Sequence, residues 1–409
     1  MSGPNTPATY YIDSQSAKAK CVEERKAIDK HCKPEAPRSD EDEKKNRPRK
    51  RKGGLAGKLG DVADGLDGLG KKSAGYKRDK RSRTATDGNA WMEDNCSGLW
   101  VTPITTADPA FEKMMTEMFD KMKSDRFSLM KSAFDELKGI AIEKAGQAAI
   151  DKAFWFGVRA VAKGVVGAVG VETVAVPIAM GAWTAADLVS TAVDLAKLAG
   201  TQGQAALDAI MDIKNVGEKA DKILDDYKKN PHKAQSDAMS LMAQLDPCTR
   251  ARKCMLVPYK NTEGTPKAVA QANHGQGCCP GQTGHHVLPD SMVAGAGCAG
   301  YDKGDAPTIC LEGTKNGFKH GSHGLAHQNL SDSMKEYRKN NNGTDTISYD
   351  EAKKQGIDAV RNAGALQCDP KCLEAQLDAH YKGCAGKNLK AVAGTGGGTG
   401  STDGGNNGG

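Results

Sequence analysis

Two adjacent histidines, and a second pair spaced one helical turn apart further along, constrain this 409-residue chain more than any other feature. They read Thr283-Gly284-His285-His286-Val287-Leu288-Pro289 and Gly321-Ser322-His323-Gly324-Leu325-Ala326-His327. Six of the nine histidines fall between positions 274 and 327, so one short region carries most of the imidazole chemistry. On a helix, His323 and His327 share a face. A neutral imidazole is the commonest protein ligand for a transition metal, and two of them one turn apart can hold one ion. His285 and His286 sit in an extended stretch, where neighbouring side chains point to opposite faces. One of that pair is thus free to bind metal while the other faces a substrate.

The flanking sequence predicts the elements that would carry these residues. A strand over about 283–288 stops at Pro289, which lacks the donor for a ladder. A second strand over 308–311 stops at Gly313, and the glycines at 295, 297, 300 and 304 suit a long irregular connection. A helix over about 322–338 follows, along which His323, His327, Leu330, Met334 and Tyr337 form one stripe. This is a ββα-metal arrangement.

Three blocks also resemble a known family. They are Cys278-Cys279-Pro280-Gly281-Gln282-Thr283-Gly284-His285-His286, then Ala306-Pro307 with Cys310 and Glu312-Gly313, then Gly321-Ser322-His323-Gly324 with His327. Together they resemble the GHH-signature nuclease toxins of the HNH/endonuclease VII superfamily, which are bacterial polymorphic toxins and often type VI secretion effectors. The segment Asp246-Pro247-Cys248 through Cys254 and Val257-Pro258-Tyr259 resembles the entry to such domains. The resemblance covers roughly a third of the chain.

The resemblance implies hydrolysis of DNA phosphodiester bonds, with His286 as general base and His285, His323 and His327 as ligands of one divalent metal. Three nitrogen ligands suit Zn, Ni or Mn, whereas Mg prefers oxygen, though it can still support turnover. His320 is a spare ligand and Asn316 a candidate to orient the base. Lys315, Lys319, Lys335 and Arg338 flank the motif and are candidate phosphate contacts, which carry no direct sequence information. From 251 to 390 there are 17 basic and 14 acidic residues, so DNA binding rests on a local cleft and not on a general field. The implied partners are DNA, a cognate immunity protein, and a secretion-system spike protein or chaperone. The implied route is export by a dedicated secretion system without a signal peptide, because residues 1–20 lack an apolar run, followed by action in the target-cell cytoplasm.

The rest of the chain divides by composition. Residues 1–104 hold 22 basic and 16 acidic residues and few apolar ones, which predicts a largely disordered basic region. Its run Lys44–Lys52 is either a solvated linker or a contact to nucleic acid or a partner. Residues 105–245 read as a helical delivery or partner-binding region. The apolar stretch 154–199 is interrupted by Glu172, Pro177 and Asp187, too often for an ordinary spanning helix of about 20 residues. Residues 246–390 form the expected nuclease domain, and 391–409 a disordered Gly-rich tail. The twelve cysteines, nine of them between 248 and 384, suit disulfides formed after export, a zinc knuckle, or buried thiols. The expected fold is mainly α with a small α+β C-terminal domain: a helical middle followed by a ββα-metal (HNH, His-Me finger) nuclease. An alternative makes the apolar central helices a membrane-acting effector or adaptor, with membrane contact during delivery and the His/Cys domain as a zinc-stabilised scaffold.

Overall fold

The computed structural model describes residues 11–32, 96, 106–146, 185–262, 277–279, 281–313 and 320–393. The basic run at 44–52, the apolar segment 154–184, Lys315, Asn316, Lys319 and residues 394–409 lie outside these residues, whereas the first residues of the expected tail pack onto the domain, Ala391 being buried with its N–H donating to the Asp345 carbonyl at 2.8 Å. Within them the chain is mainly helical with small antiparallel sheets, as its composition leads one to expect. Among the described residues no helix is long and apolar enough to cross a membrane.

Short N-terminal helices come first, α1 (Gln15–Lys18) and α2 (Val22–His31). The middle region contains α3 (Pro109–Ser124), α4 (Arg126–Ala145), α5 (Ala185–Lys214), α6 (Val216–Tyr227) and α7 (Pro231–Leu245). Asp108, Asn230 and Asp246 each cap a helix by accepting a main-chain N–H of its first turn, and each is followed by a proline at the first helical position. The core of this region is rich in methionine. Met114, Met115, Met118 and Met122 line the buried face of α3 at helical spacing, and Met130, Met239 and Met242 join them. The thioether's flexibility lets such a core fill irregular gaps between helices.

The C-terminal region has its own core. It begins with α8 (Pro247–Lys253) and β1 (Val257–Pro258). Strand β2 (Gln282–His286), helix α9 (Asp290–Val293) and strand β3 (Pro307–Glu312) follow. The sheet order is β1-β3-β2, all antiparallel, with His285 opposite Ile309 and His286 opposite Thr308. Helix α10 (Gly321–Asn340) lies against this sheet. Strands β4 (Thr346–Ser348) and β5 (Asn388–Lys390) pair with each other. Between them α11 (Tyr349–Val360) starts at Ser348, whose hydroxyl accepts the Glu351 N–H at 3.3 Å, and α12 (Pro370–His380) starts at Asp369. Leu373, Leu377 and Tyr381 are buried on one face, as their spacing predicts.

The structure differs from the sequence reading at the N-terminus. Residues 11–32 are ordered although they hold few apolar side chains. Their own core is small, built from Ile12, Ala17 and Cys21 against Cys372 and Ala375. Two disulfides hold them in place, Cys21–Cys372 and Cys32–Cys248. Helix α2 also faces α4 through Lys144–Glu23 at 2.9 Å and His31–Glu136 at 3.7 Å. The remaining cysteines pair as Cys96–Cys279, Cys254–Cys368, Cys278–Cys310 and Cys298–Cys384, which leaves no free thiol. Of the three roles open to the cysteines, the structure takes the disulfide one.

Candidate metal centre

The site is built where β2 meets the first two turns of α10. Gly284 lets β2 run close to the turn after β1, since a Cβ there would collide with the Thr262 side chain. Gly321 has φ +66°, a conformation that favours glycine, and turns the chain from the connection into α10. These local features bring His285 from the strand to His323 and His327 from the helix. The ring centroids lie 5.3 Å (His285–His323), 4.4 Å (His285–His327) and 4.8 Å (His323–His327) apart. One ring nitrogen from each falls within 4.8 Å of the others. His285 is 2% exposed and His323 5%.

Burial keeps all three imidazoles neutral. It pushes His285 well below the usual imidazole range, reinforced by the neighbouring histidines, and lowers His323 to about 3. His327 is lowered by burial as well. Neither ring nitrogen of His285 has a protein hydrogen-bond partner, nor has Nδ1 of His327. A buried polar atom left without a partner is costly. Three neutral, convergent imidazoles, two of them (His285 and His327) with unsatisfied ring nitrogens, have the donor set that a divalent transition ion requires. The residues present therefore fit a metal.

His286 lies on the opposite side of β2. Its ring stands 4.2 Å from that of Tyr259, tilted by 36°. The ring hydrogen-bonds the main chain of Lys303, while Nε2 has no protein partner. Burial lowers its pKa, an effect that the hydrogen bond to Lys303 and the Asp290 charge only partly offset, so it is neutral near pH 7. A neutral imidazole with one nitrogen anchored and the other unpartnered can accept a proton.

Other expected residues fall elsewhere. His320 stands at the N-cap position of α10, outside the trio, with Nε2 3.3 Å from Asn230 Nδ2 and its ring 5.5 Å from that of His232. Lys335 is exposed and paired with Asp332 at 3.2 Å, two turns past His327, and Arg338 lies in the last turn of α10. Lys315, Lys319 and Asn316 are outside the described residues. His31 and His380 pack in other places, His31 beside Glu136 and His380 against Tyr11, Tyr301 and Tyr381.

Sequence reasoning missed the support beneath the centre. Lys253 and Glu312 form a buried ion pair at 2.8 Å, joined by Ser322 and Gln282. A glutamate closing an otherwise apolar strand is the one signal that points to it. The stacking of Tyr259 on His286 had no sequence signal, because β1 and β2 are joined by a long connection.

No family model matches the chain, and no solved structure matches it. One relative does. Over 199 residues the chain is 30% identical to the DNase toxin Tse7 of Pseudomonas aeruginosa. The alignment covers 43% of this chain and 46% of the relative, so the chain spans about half the length of the protein it matches.

Proposed function

We propose that this chain is a metal-dependent DNA endonuclease of the HNH type, deployed as a secreted antibacterial effector. The observation that carries the reading is the convergence of His285, His323 and His327, with a neutral, anchored His286 next along β2 from His285. The similarity to a DNase toxin supports it. His285, His323 and His327 would hold one divalent ion, with Zn, Ni or Mn suited to three nitrogens and Mg a weaker fit. A divalent ion there supplies a Lewis acid that neutralises phosphate charge and helps the 3′ oxygen leave.

The remaining work belongs to the chain. His286 takes the proton from the attacking water through Nε2, and its hydrogen bond to Lys303 fixes the ring for that step. Burial of the cluster keeps the ligands deprotonated. Phosphate contacts from Lys335, Arg338 and the lysines before α10 give orientation without sequence selectivity. The partners on this reading are DNA, an immunity protein that protects the producing cell, and a spike protein or chaperone for export. The place of action is the cytoplasm of the target cell.

Metal content tests the ligand assignment. Purified chain equilibrated with zinc and freed of excess should retain one ion by elemental analysis. The His323→Ala/His327→Ala variant should retain none. Undiminished metal in that variant would show that the ion sits elsewhere.

A further inference from the structure

We infer that the Glu312 carboxylate is a positioning group for the metal centre: it locks α10 onto the β2–β3 hairpin so that His285 meets the His323–His327 pair. The inference rests on the metal reading above. Glu312 and Lys253 are essentially sealed from solvent, with side chains 0% and 1% exposed. Glu312 accepts from Lys253 Nζ at 2.8 Å and from Ser322 Oγ at 2.6 Å on one oxygen, and from Gln282 Nε2 at 2.9 Å on the other. The Glu312 main-chain N–H donates back to Ser322 Oγ at 2.8 Å. Lys253 also donates to the Gly364 carbonyl at 3.2 Å.

Two of the three side-chain donors come from the elements that carry the ligands. Gln282 begins β2, three residues before His285. Ser322 immediately precedes His323 in the first turn of α10, and its own N–H donates to Ser240 of α7 at 3.0 Å. One carboxylate thus fixes the strand ligand and the helix ligands to a common point. A buried ion pair is weak grounds for stability, because well-packed apolar residues often do as well or better. Its directional bonds do something apolar packing does not: they fix the register of one element on another. A metal site needs that, since ligand distances must hold to within about 0.2 Å.

The test uses the full chain loaded with cobalt(II), read by its visible absorption bands and by competition with a chelator. Ser322→Ala keeps the Lys253–Glu312 pair and should keep the fold by circular dichroism. It should weaken cobalt binding by about 10–100-fold, the usual effect of losing a group that orients a metal ligand, and shift the absorption bands. Lys253→Met/Glu312→Met removes every bond to the carboxylate at similar volume, leaves the main-chain bond to Ser322 Oγ, and should weaken binding at least as much. A folded Ser322→Ala variant with wild-type affinity and an unchanged spectrum overturns the positioning role. Wild-type protein that binds no cobalt overturns the metal reading beneath it.

Discussion

At the scale of single residues, proton balance follows from burial. An unfolded chain binds protons on its histidines below about pH 6.5, whereas burial holds His285 and His323 neutral until well below that when folded and lowers His327 as well. The unfolded state therefore holds more protons across that window, and stability must fall as pH falls through it. The metal-free protein should unfold at lower denaturant concentration at pH 5 than at pH 7. In the His323→Ala/His327→Ala variant this dependence should flatten. A midpoint independent of pH in the metal-free wild type would contradict the buried, neutral state of the cluster.

At the scale of elements, the parts with local rules were legible and the parts set by long-range contact were not. The hairpin, α10, the Ser348 cap and the Asp369-Pro370 start could be read because proline, glycine, capping side chains and helical spacing act within a few residues. The convergence of His323 and His327 with His285 could be read in part for the same reason, two of the three being one turn apart. The contact of His320 with Asn230 was not legible, because spacing alone cannot tell which neighbour a residue at a helix start faces. Lys253 and Glu312 were hidden because 58 residues separate two side chains that only the fold unites. Helix α7 was hidden too: read as part of a separate helical region, it underlies α10 through Ser240, and Ser236 packs where a Cβ on Gly321 would sit. A fragment starting at residue 246 loses these contacts. It should be less thermally stable and hold metal more weakly than one starting at residue 231. Equal melting temperatures and affinities for the two fragments would show α7 to be dispensable.

At the scale of the whole molecule, disulfides join regions that composition keeps apart. Cys21–Cys372 spans 351 positions and Cys32–Cys248 spans 216, so each closes a long loop in the unfolded chain. Such bonds form and persist in oxidising surroundings, which accords with the proposed export. Removing a native disulfide costs about 2–5 kcal/mol in small secreted domains. The Cys21→Ser/Cys372→Ser variant should accordingly melt at lower temperature, with residues 11–32 exchanging amide hydrogens faster than in the wild type. Unchanged exchange would mean that the small Ile12 and Ala17 core suffices alone. The central claim concerns DNA. Its most direct test is the rate of plasmid cleavage by the full chain, measured metal-loaded, chelated, and metal-loaded with His286→Ala. Loaded wild type should cut, chelation should abolish cutting, and re-added metal should restore it. His286→Ala should retain its ion but cut more slowly by about 10²–10⁴-fold, the usual effect of losing a general base. Wild-type cleavage that persists after chelation, or a loaded His286→Ala variant as fast as wild type, would contradict the account.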